Sequence, residues 1–160
     1  MSLRGGIGLP ELPIEDGREY RLGIMGGTFD PIHYGHLVTA EQARESLDLD
    51  AVLFMPAGSP AFKLDKPVTP AEDRYAMTVL ATAANPAFLA SRFEIDREGV
   101  TYTADTLRAL REFYPPQVKL YFITGADAII DIVTWHHADE IAELATFIAA
   151  TRPGFDIDTA

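Results

Sequence analysis

Two histidines in a glycine-rich segment, His33 and His36, have the residue type and spacing best suited to chemistry in this sequence. The segment reads Gly-Gly-Thr-Phe-Asp-Pro-Ile-His-Tyr-Gly-His over residues 26–36, between a short apolar run and a helical pattern. Residues three apart share one face of a first helical turn. Glycines let the backbone approach a ligand closely, and a helix N-terminus favours anions. The pattern predicts a phosphate-binding turn; the alternative is an ordinary capped turn with incidental histidines.

Such a turn is suited to nucleotidyl transfer, in which a phosphate oxygen attacks the α-phosphorus of a nucleoside triphosphate. The protein supplies no nucleophile in this reaction; it aligns the reactants and neutralises the charge that develops. The imidazoles of His33 and His36 can donate hydrogen bonds to non-bridging phosphate oxygens, with their protonation favoured by the phosphates themselves. We therefore expect both histidines to be catalytic.

Apolar runs typical of buried strands alternate with helical patterns from Arg21 onward, which predicts an α/β fold. The predicted strands lie near residues 22–25, 51–55, 88–90, 118–123 and 146–150. Right-handed crossovers then give a Rossmann-like, doubly wound parallel sheet with helices on both faces. Ligands bind such sheets beyond the carboxyl ends of the strands, where the strand order reverses. If the loops after the first and fourth strands face each other there, the strand order is 3-2-1-4-5.

Composition excludes several classes of function. A net charge of −11 argues against a nucleic-acid surface, and the absence of cysteine removes disulfides, thiolate zinc sites and cysteine nucleophiles. No apolar run reaches the length of a membrane span, and no signal pattern begins the chain, so we expect a cytoplasmic protein with no membrane partner. Residues 1–19 are rich in Gly, Pro and acidic residues without a sustained period, which predicts a flexible tail before one domain at residues 20–160.

The segment Gly-Gly-Thr-Phe-Asp-Pro-x-His-x-Gly-His resembles the signature of the nucleotidyltransferase superfamily that carries a His-x-Gly-His motif. More narrowly, it is similar to that of bacterial nicotinate-mononucleotide adenylyltransferases, and the resemblance extends from about Arg21 to about Gly154. It implies transfer of AMP from ATP to nicotinate mononucleotide, giving nicotinate adenine dinucleotide and pyrophosphate in NAD biosynthesis. The alternatives are an adenylyltransferase for nicotinamide mononucleotide or pantetheine phosphate, and a catalytically impaired nucleotide-binding module.

The resemblance also implies which residues bind each substrate. It assigns to ATP the residues Gly26, Gly27, Thr28, Phe29, His33, Gly35, His36, Gly125, Asp127 and Arg152. It assigns to nicotinate mononucleotide the residues Thr101, Tyr102, Asp105, Trp135 and Arg74. Lys63, in a segment similar to the family's Pro-x-x-x-Pro-x-x-Lys loop, is expected to be a third catalytic residue. Mg²⁺ is expected on the ATP phosphates without a protein metal site, and assembly into a homo-oligomer is left open.

Five of these residues also have a structural explanation. Lys63 has the alternative of a solvated surface lysine, and Asp105 that of capping a helix. Trp135 has the alternative of core or surface packing, although a flat aromatic face suits stacking on a pyridine ring. Arg74 has the alternative of a surface salt bridge, and Arg152 that of satisfying carbonyl groups at a strand end.

One departure from the family concerns its second signature, Ile-Ser-Ser-Thr-x-x-Arg, which is absent from these 160 residues. In the family this segment lies near the adenine and the triphosphate. We therefore expect the usual C-terminal strand and helix to be missing, ATP binding to be weakened, and turnover by these residues alone to be reduced or absent.

Overall fold

A computed structural model of the chain describes residues 8–27, 29, 31–58, 69–97, 103–125, 143–150 and 157–159. The elements, in chain order, are β1 (Tyr20–Gly27), α1 (Tyr34–Leu47), β2 (Ala51–Pro56), α2 (Ala71–Thr82), β3 (Phe88–Ala90), α3 (Thr103–Phe113), β4 (Val118–Gly125), β5 (Thr146–Ala150) and β6 (Ile157–Thr159). Within these ranges no helix has the length and apolar character needed to cross a membrane.

The strands form one sheet in the order β3-β2-β1-β4-β5-β6. The first five strands are parallel, so the predicted order 3-2-1-4-5 is confirmed. The sixth strand, β6, pairs antiparallel with β5 at the edge and was not predicted from the sequence. It has three residues, which is too short for a period of two to be recognised.

The residues of β1 alternate between two apolar clusters on opposite faces of the sheet. Leu22 and Ile24 pack in the cluster that contains Leu107 of α3. Met25 packs in the cluster that contains Ala40 of α1, against which residues of α2 also pack. All six residues of β2 are buried, as is typical of a parallel strand covered on both faces. The predicted doubly wound arrangement is therefore present, with α1 and α2 on one face and α3 on the other.

Within the predicted flexible tail, residues 8–19 are described, and several of them contact the domain. Leu9 is 1% exposed and belongs to the cluster on the α3 face. The Tyr114 hydroxyl donates to the Pro10 carbonyl at 2.5 Å, and the Ser91 hydroxyl donates to the Gly8 carbonyl at 2.7 Å. The segment forms neither a helix nor a long strand, so its few apolar side chains follow no period that the sequence could reveal.

Candidate active site

The phosphate-binding turn, residues 26–36, connects the carboxyl end of β1 to the N-terminus of α1. Its described residues are Gly26, Gly27, Phe29 and 31–36. Beside β1 lie β2 on one side and β4 on the other, so the turn is at the point where the strand order reverses. Met25 is paired with Ile123, and this register places Gly125, at the end of β4, level with Gly27. The ends of β1 and β4 therefore lie side by side, as predicted.

His33 and His36 bind the backbone of the helix N-terminus reciprocally. His33 is the N-cap residue of α1, and its Nδ1 accepts a hydrogen bond from the Gly35 N–H at 3.1 Å. The His36 Nδ1 accepts from the His33 N–H at 3.0 Å. A ring nitrogen that accepts from an N–H carries no proton, so each neutral ring carries its proton on Nε2. Both side chains therefore hold a hydrogen-bond donor on the side of the ring away from the backbone.

The imidazole of His36 is held neutral by its surroundings. Its ring stacks on that of His33 with centroids 3.9 Å apart, and it meets the Phe29 ring in an edge-to-face arrangement with centroids 5.0 Å apart. Burial, and secondarily the neighbouring His33, lower the pKa of His36 to about 4. Protonation of His36 would also put a proton on the Nδ1 that accepts from the backbone. The free protein thus presents a neutral donor here, whereas the sequence suggested that phosphates favour a protonated ring.

Gly35 leaves the space that the His33 ring occupies. A Cβ at Gly35 would lie 2.9 Å from Cε1 and 3.0 Å from Nδ1 of His33, which is closer than real Cβ contacts allow. The His33 ring also accepts the capping hydrogen bond from the Gly35 N–H, so it cannot move far without losing that bond. The glycine between the two histidines is therefore a steric requirement of the turn.

Phe29 anchors the turn in the core, and its contact with ATP stays a prediction. The residue is 3% exposed, and its ring packs on Phe54 with centroids 6.1 Å apart as well as on His36. Its φ of 51° lies in the left-handed region, which is strained for an aromatic residue. A Cβ at Gly27 would lie 3.1 Å from this ring, so the glycine accommodates the phenylalanine. The sequence did not reveal this because Phe29 precedes the helix and follows no apolar period.

Local electrostatics at the turn favour an anion despite the acidic composition of the chain. The first turn of α1 contains no acidic residue, and His33, Tyr34 and Gly35 are exposed. The positive end of the helix dipole is therefore not neutralised by a carboxylate of the first helical turn itself. A phosphate group at this position would meet this dipole end and the Nε2 donors together.

Arg74, which is expected to contact the mononucleotide, is buried. It is 1% exposed on α2. Its Nε donates to the Thr69 carbonyl at 2.7 Å, Nη1 to the Ala57 carbonyl at 2.5 Å and Nη2 to the Gly58 carbonyl at 3.0 Å. A guanidinium group used in this way holds backbone, and a contact of Arg74 with the mononucleotide stays a prediction. The surface salt bridge considered as its alternative is inconsistent with this burial.

Asp105 lies in the first turn of α3, as the capping alternative requires. Its carboxylate pairs with the Arg108 guanidinium at 3.1 Å, three residues along the same helix. A carboxylate in a first turn is stabilised by the helix dipole. Its contact with the mononucleotide stays a prediction.

Glu94 was missed by sequence reasoning, although it lies between Gly58 and α3. Its Oε2 accepts a hydrogen bond from the Thr106 hydroxyl in α3 at 2.7 Å. The carboxyl group is largely buried, and this burial raises its pKa to about 7. The available signal was a single acidic residue between Phe93 and Ile95, a pattern that places a carboxylate in apolar surroundings.

Seven predicted site residues lie outside the described residues. They are Thr28, Lys63, Thr101, Tyr102, Asp127, Trp135 and Arg152. Their assigned roles stay predictions. Among the residues that the structure does describe, no group of three or more His, Asp or Glu side chains is arranged to hold a metal ion.

The pKa of His36 gives a testable dependence of stability on pH. Because this pKa is about 4 in the folded protein and 6.5 ordinarily, the unfolded chain binds more protons between these values. The contribution of neutral His36 to the free energy of unfolding is therefore complete above pH 6.5 and is lost as the pH falls towards 4. Urea unfolding across this range measures it, and His36→Asn should reduce the slope. An NMR titration midpoint of 6.5 or higher for His36 would contradict the assignment.

The chain is similar in sequence to a known protein family and to several named proteins. A family model described as cytidylyltransferase-like matches residues 24–160. A protein of Moorella thermoacetica named probable nicotinate-nucleotide adenylyltransferase is 61% identical over 141 residues, which are 88% of this chain and 65% of that protein. One of the same name from a Thermoanaerobacter species is 58% identical, over 87% of this chain and 66% of its own length. The chain thus spans about two thirds of the length of these relatives.

One solved structure with the same fold is the Plasmodium falciparum nicotinic acid mononucleotide adenylyltransferase complexed with NaAD. It superposes with a TM-score of 0.71 at 23% identity, over 87% of this chain and 68% of that one. At this identity the likeness concerns the fold.

Proposed function

Because the chain belongs to the cytidylyltransferase-like family, as the resemblance in its sequence indicated, we propose that it transfers AMP from ATP to nicotinate mononucleotide. The products are nicotinate adenine dinucleotide and pyrophosphate. The relatives named as nicotinate-nucleotide adenylyltransferases support this choice of acceptor. The solved structure of the Plasmodium enzyme with NaAD shows such a dinucleotide on the same fold in that protein.

The reciprocal capping of α1 by His33 and His36 is the observation that carries the proposal. It fixes two Nε2–H donors at a helix N-terminus beyond the carboxyl end of β1. Donors that are already oriented need no rearrangement when charge develops on the phosphate oxygens. A turn that served only to cap the helix would need one short polar side chain, not two imidazoles in mutual contact.

In the proposed reaction ATP binds with Mg²⁺ on its phosphates, and its triphosphate lies over the turn. A phosphate oxygen of nicotinate mononucleotide attacks the α-phosphorus in line, and the bond from that phosphorus to the bridging oxygen breaks. The electron pair leaves with pyrophosphate, while His33 and His36 donate hydrogen bonds to phosphate oxygens. Lys63 is proposed to add a positive charge to the same group. Mg²⁺ enters as part of the substrate and offsets charge that this acidic chain does not.

The acceptor is proposed to lie on the α3 side of the same edge. There the backbone near Thr101 and Tyr102 would receive the nicotinate carboxylate, and Trp135 would stack on the pyridine ring. A carboxylate and a neutral carboxamide need different hydrogen-bond partners, so this contact would decide the choice of mononucleotide. The cytoplasmic location expected from the sequence stays a prediction.

Incubation of the chain with ATP, Mg²⁺ and each mononucleotide separately, with products identified by mass spectrometry, tests the function. We expect nicotinate adenine dinucleotide and pyrophosphate, formed more slowly than by a relative that carries the second signature but faster than the corresponding nicotinamide dinucleotide. Equal rates with the two pyridine mononucleotides would contradict the proposed acceptor. Transfer to pantetheine phosphate would contradict the proposed reaction, whereas binding of nucleotide without any product would favour the catalytically impaired nucleotide-binding module.

A further inference from the structure

Among the described residues, Arg74 donates hydrogen bonds to three backbone carbonyl groups, two of which directly follow β2. Its donors reach the carbonyl groups of Ala57 and Gly58 on one side and of Thr69 on the other. Three carbonyl groups that converge on one planar cation match the fixed fork of a guanidinium group, whose spread geometry a compact lysine ammonium does not reproduce. The Ala57–Gly58 segment is therefore fixed to α2.

The Ala57–Gly58 segment is in turn joined to the phosphate-binding turn. The Ala57 N–H donates to the Gly27 carbonyl at 2.8 Å. Gly27 packs on the ring of Phe29, and that ring packs on His36. The position of the segment is thus transmitted through direct contacts to one of the two imidazoles.

On its other side the Ala57–Gly58 segment lies against Glu94. A Cβ at Gly58 would be 2.5 Å from the Glu94 carbonyl oxygen, so the two backbones are in the closest contact that a glycine allows. The side chain of Glu94 accepts from Thr106, which is in the first turn of α3 and is 3% exposed. The contacts therefore continue from α2, across the carboxyl ends of β1 and β2, to the N-terminus of α3.

We propose that Arg74 and Glu94, which hold the Ala57–Gly58 segment from opposite sides, are positioning residues that set the distance between the two substrates. This inference rests on the proposed function, in which ATP lies at the phosphate-binding turn and the mononucleotide beside α3. Neither residue needs to touch a substrate. In-line transfer requires the attacking oxygen and the α-phosphorus to be held at near-contact distance, and misplacement by about 1 Å can cost about a hundredfold in rate.

The test compares ATP and nicotinate mononucleotide, each of which occupies one of the two substrate positions, with nicotinate adenine dinucleotide, which spans both. Dissociation constants of ATP, nicotinate mononucleotide and nicotinate adenine dinucleotide are measured by calorimetry for the wild-type chain and for Arg74→Lys and Gly58→Ala. We expect the affinity of both variants for the dinucleotide to fall by about tenfold or more. Their affinities for ATP and for nicotinate mononucleotide should each fall by less than about threefold, because only the dinucleotide depends on the spacing between the two positions. Gly58→Ala perturbs the segment at its contact with Glu94. If Arg74→Lys does not fold, this variant alone tests whether the segment sets the spacing of the substrates.

Arg111→Lys is the matched control. Arg111 also donates to a backbone carbonyl, that of Pro115 at 2.6 Å, but it lies near the C-terminus of α3, at the opposite edge of the sheet. We expect its affinities for all three ligands to equal those of the wild type. If wild-type chain binds all three ligands and both variants keep its dinucleotide affinity, or lose all three affinities equally, the positioning role is wrong and the proposed function stands. If wild-type chain binds none of them, both proposals are wrong.

Discussion

Replacing His33 or His36 by asparagine is expected to lower turnover by about a hundredfold to a thousandfold with little loss of stability. Asparagine Oδ1 can accept the backbone N–H that Nδ1 accepts now, and asparagine is among the best N-cap residues. The variant lacks the Nε2–H donor, and this loss should destabilise mainly the transition state, so that it lowers kcat more than it weakens substrate binding. Steady-state kinetics and urea unfolding of each variant make the comparison.

The alanine variants are the matched control for this experiment. His33→Ala removes both the donor and the cap, so we expect the same loss of turnover together with about 1 kcal/mol of lost stability. A similar loss of stability in His33→Asn and His33→Ala would contradict the capping geometry. Turnover by the asparagine variants at the wild-type rate would contradict the donor role of Nε2.

Gly35→Ala is expected to reduce turnover by about a hundredfold, through displacement of a neighbouring ring rather than loss of any functional group. The new Cβ would lie within 3.0 Å of two atoms of the His33 imidazole, so this ring must rotate away from its hydrogen bond with the backbone. The Nε2 donor then moves with the ring. Steady-state kinetics measures the loss, and the NMR signal of the His33 ring should shift.

The same substitution in the His33→Ala background separates this mechanism from a general effect on the helix. With no ring at residue 33, Gly35→Ala should change turnover by less than about twofold, because interacting residues are non-additive. It should also stabilise the helix by up to about 1 kcal/mol, since alanine has the higher helix propensity. A further hundredfold loss in the double variant would show that Gly35 acts independently of His33.

The sheet could be predicted from the sequence because its strands carry strong local patterns. The run Ala51–Met55 is apolar throughout, as a strand covered on both faces must be, and the glycine turns after β1 and β4 mark the strand ends that meet. The two histidines could be predicted for a related reason, since residue type, spacing and position at a helix start occur together in one short segment.

The remaining features of the site depend on contacts between residues far apart in the chain. The burial of Arg74 follows from carbonyl groups 16 and 17 residues before it, and no local pattern indicates which carbonyls will lack partners. The contact of Leu9 with the core is likewise unrelated to any period. The protonation of His36 depends on a backbone N–H and on the burial of its ring, neither of which the sequence specifies.

The position of a bound triphosphate relative to the two Nε2 atoms tests the central claim most directly. A crystal structure of the chain with ATP and Mg²⁺ should show phosphate oxygens within about 3.2 Å of Nε2 of both His33 and His36, with each Nδ1 still bound to the backbone. A triphosphate bound elsewhere, or bound here with the imidazoles turned so that Nδ1 faces the phosphates, would contradict it.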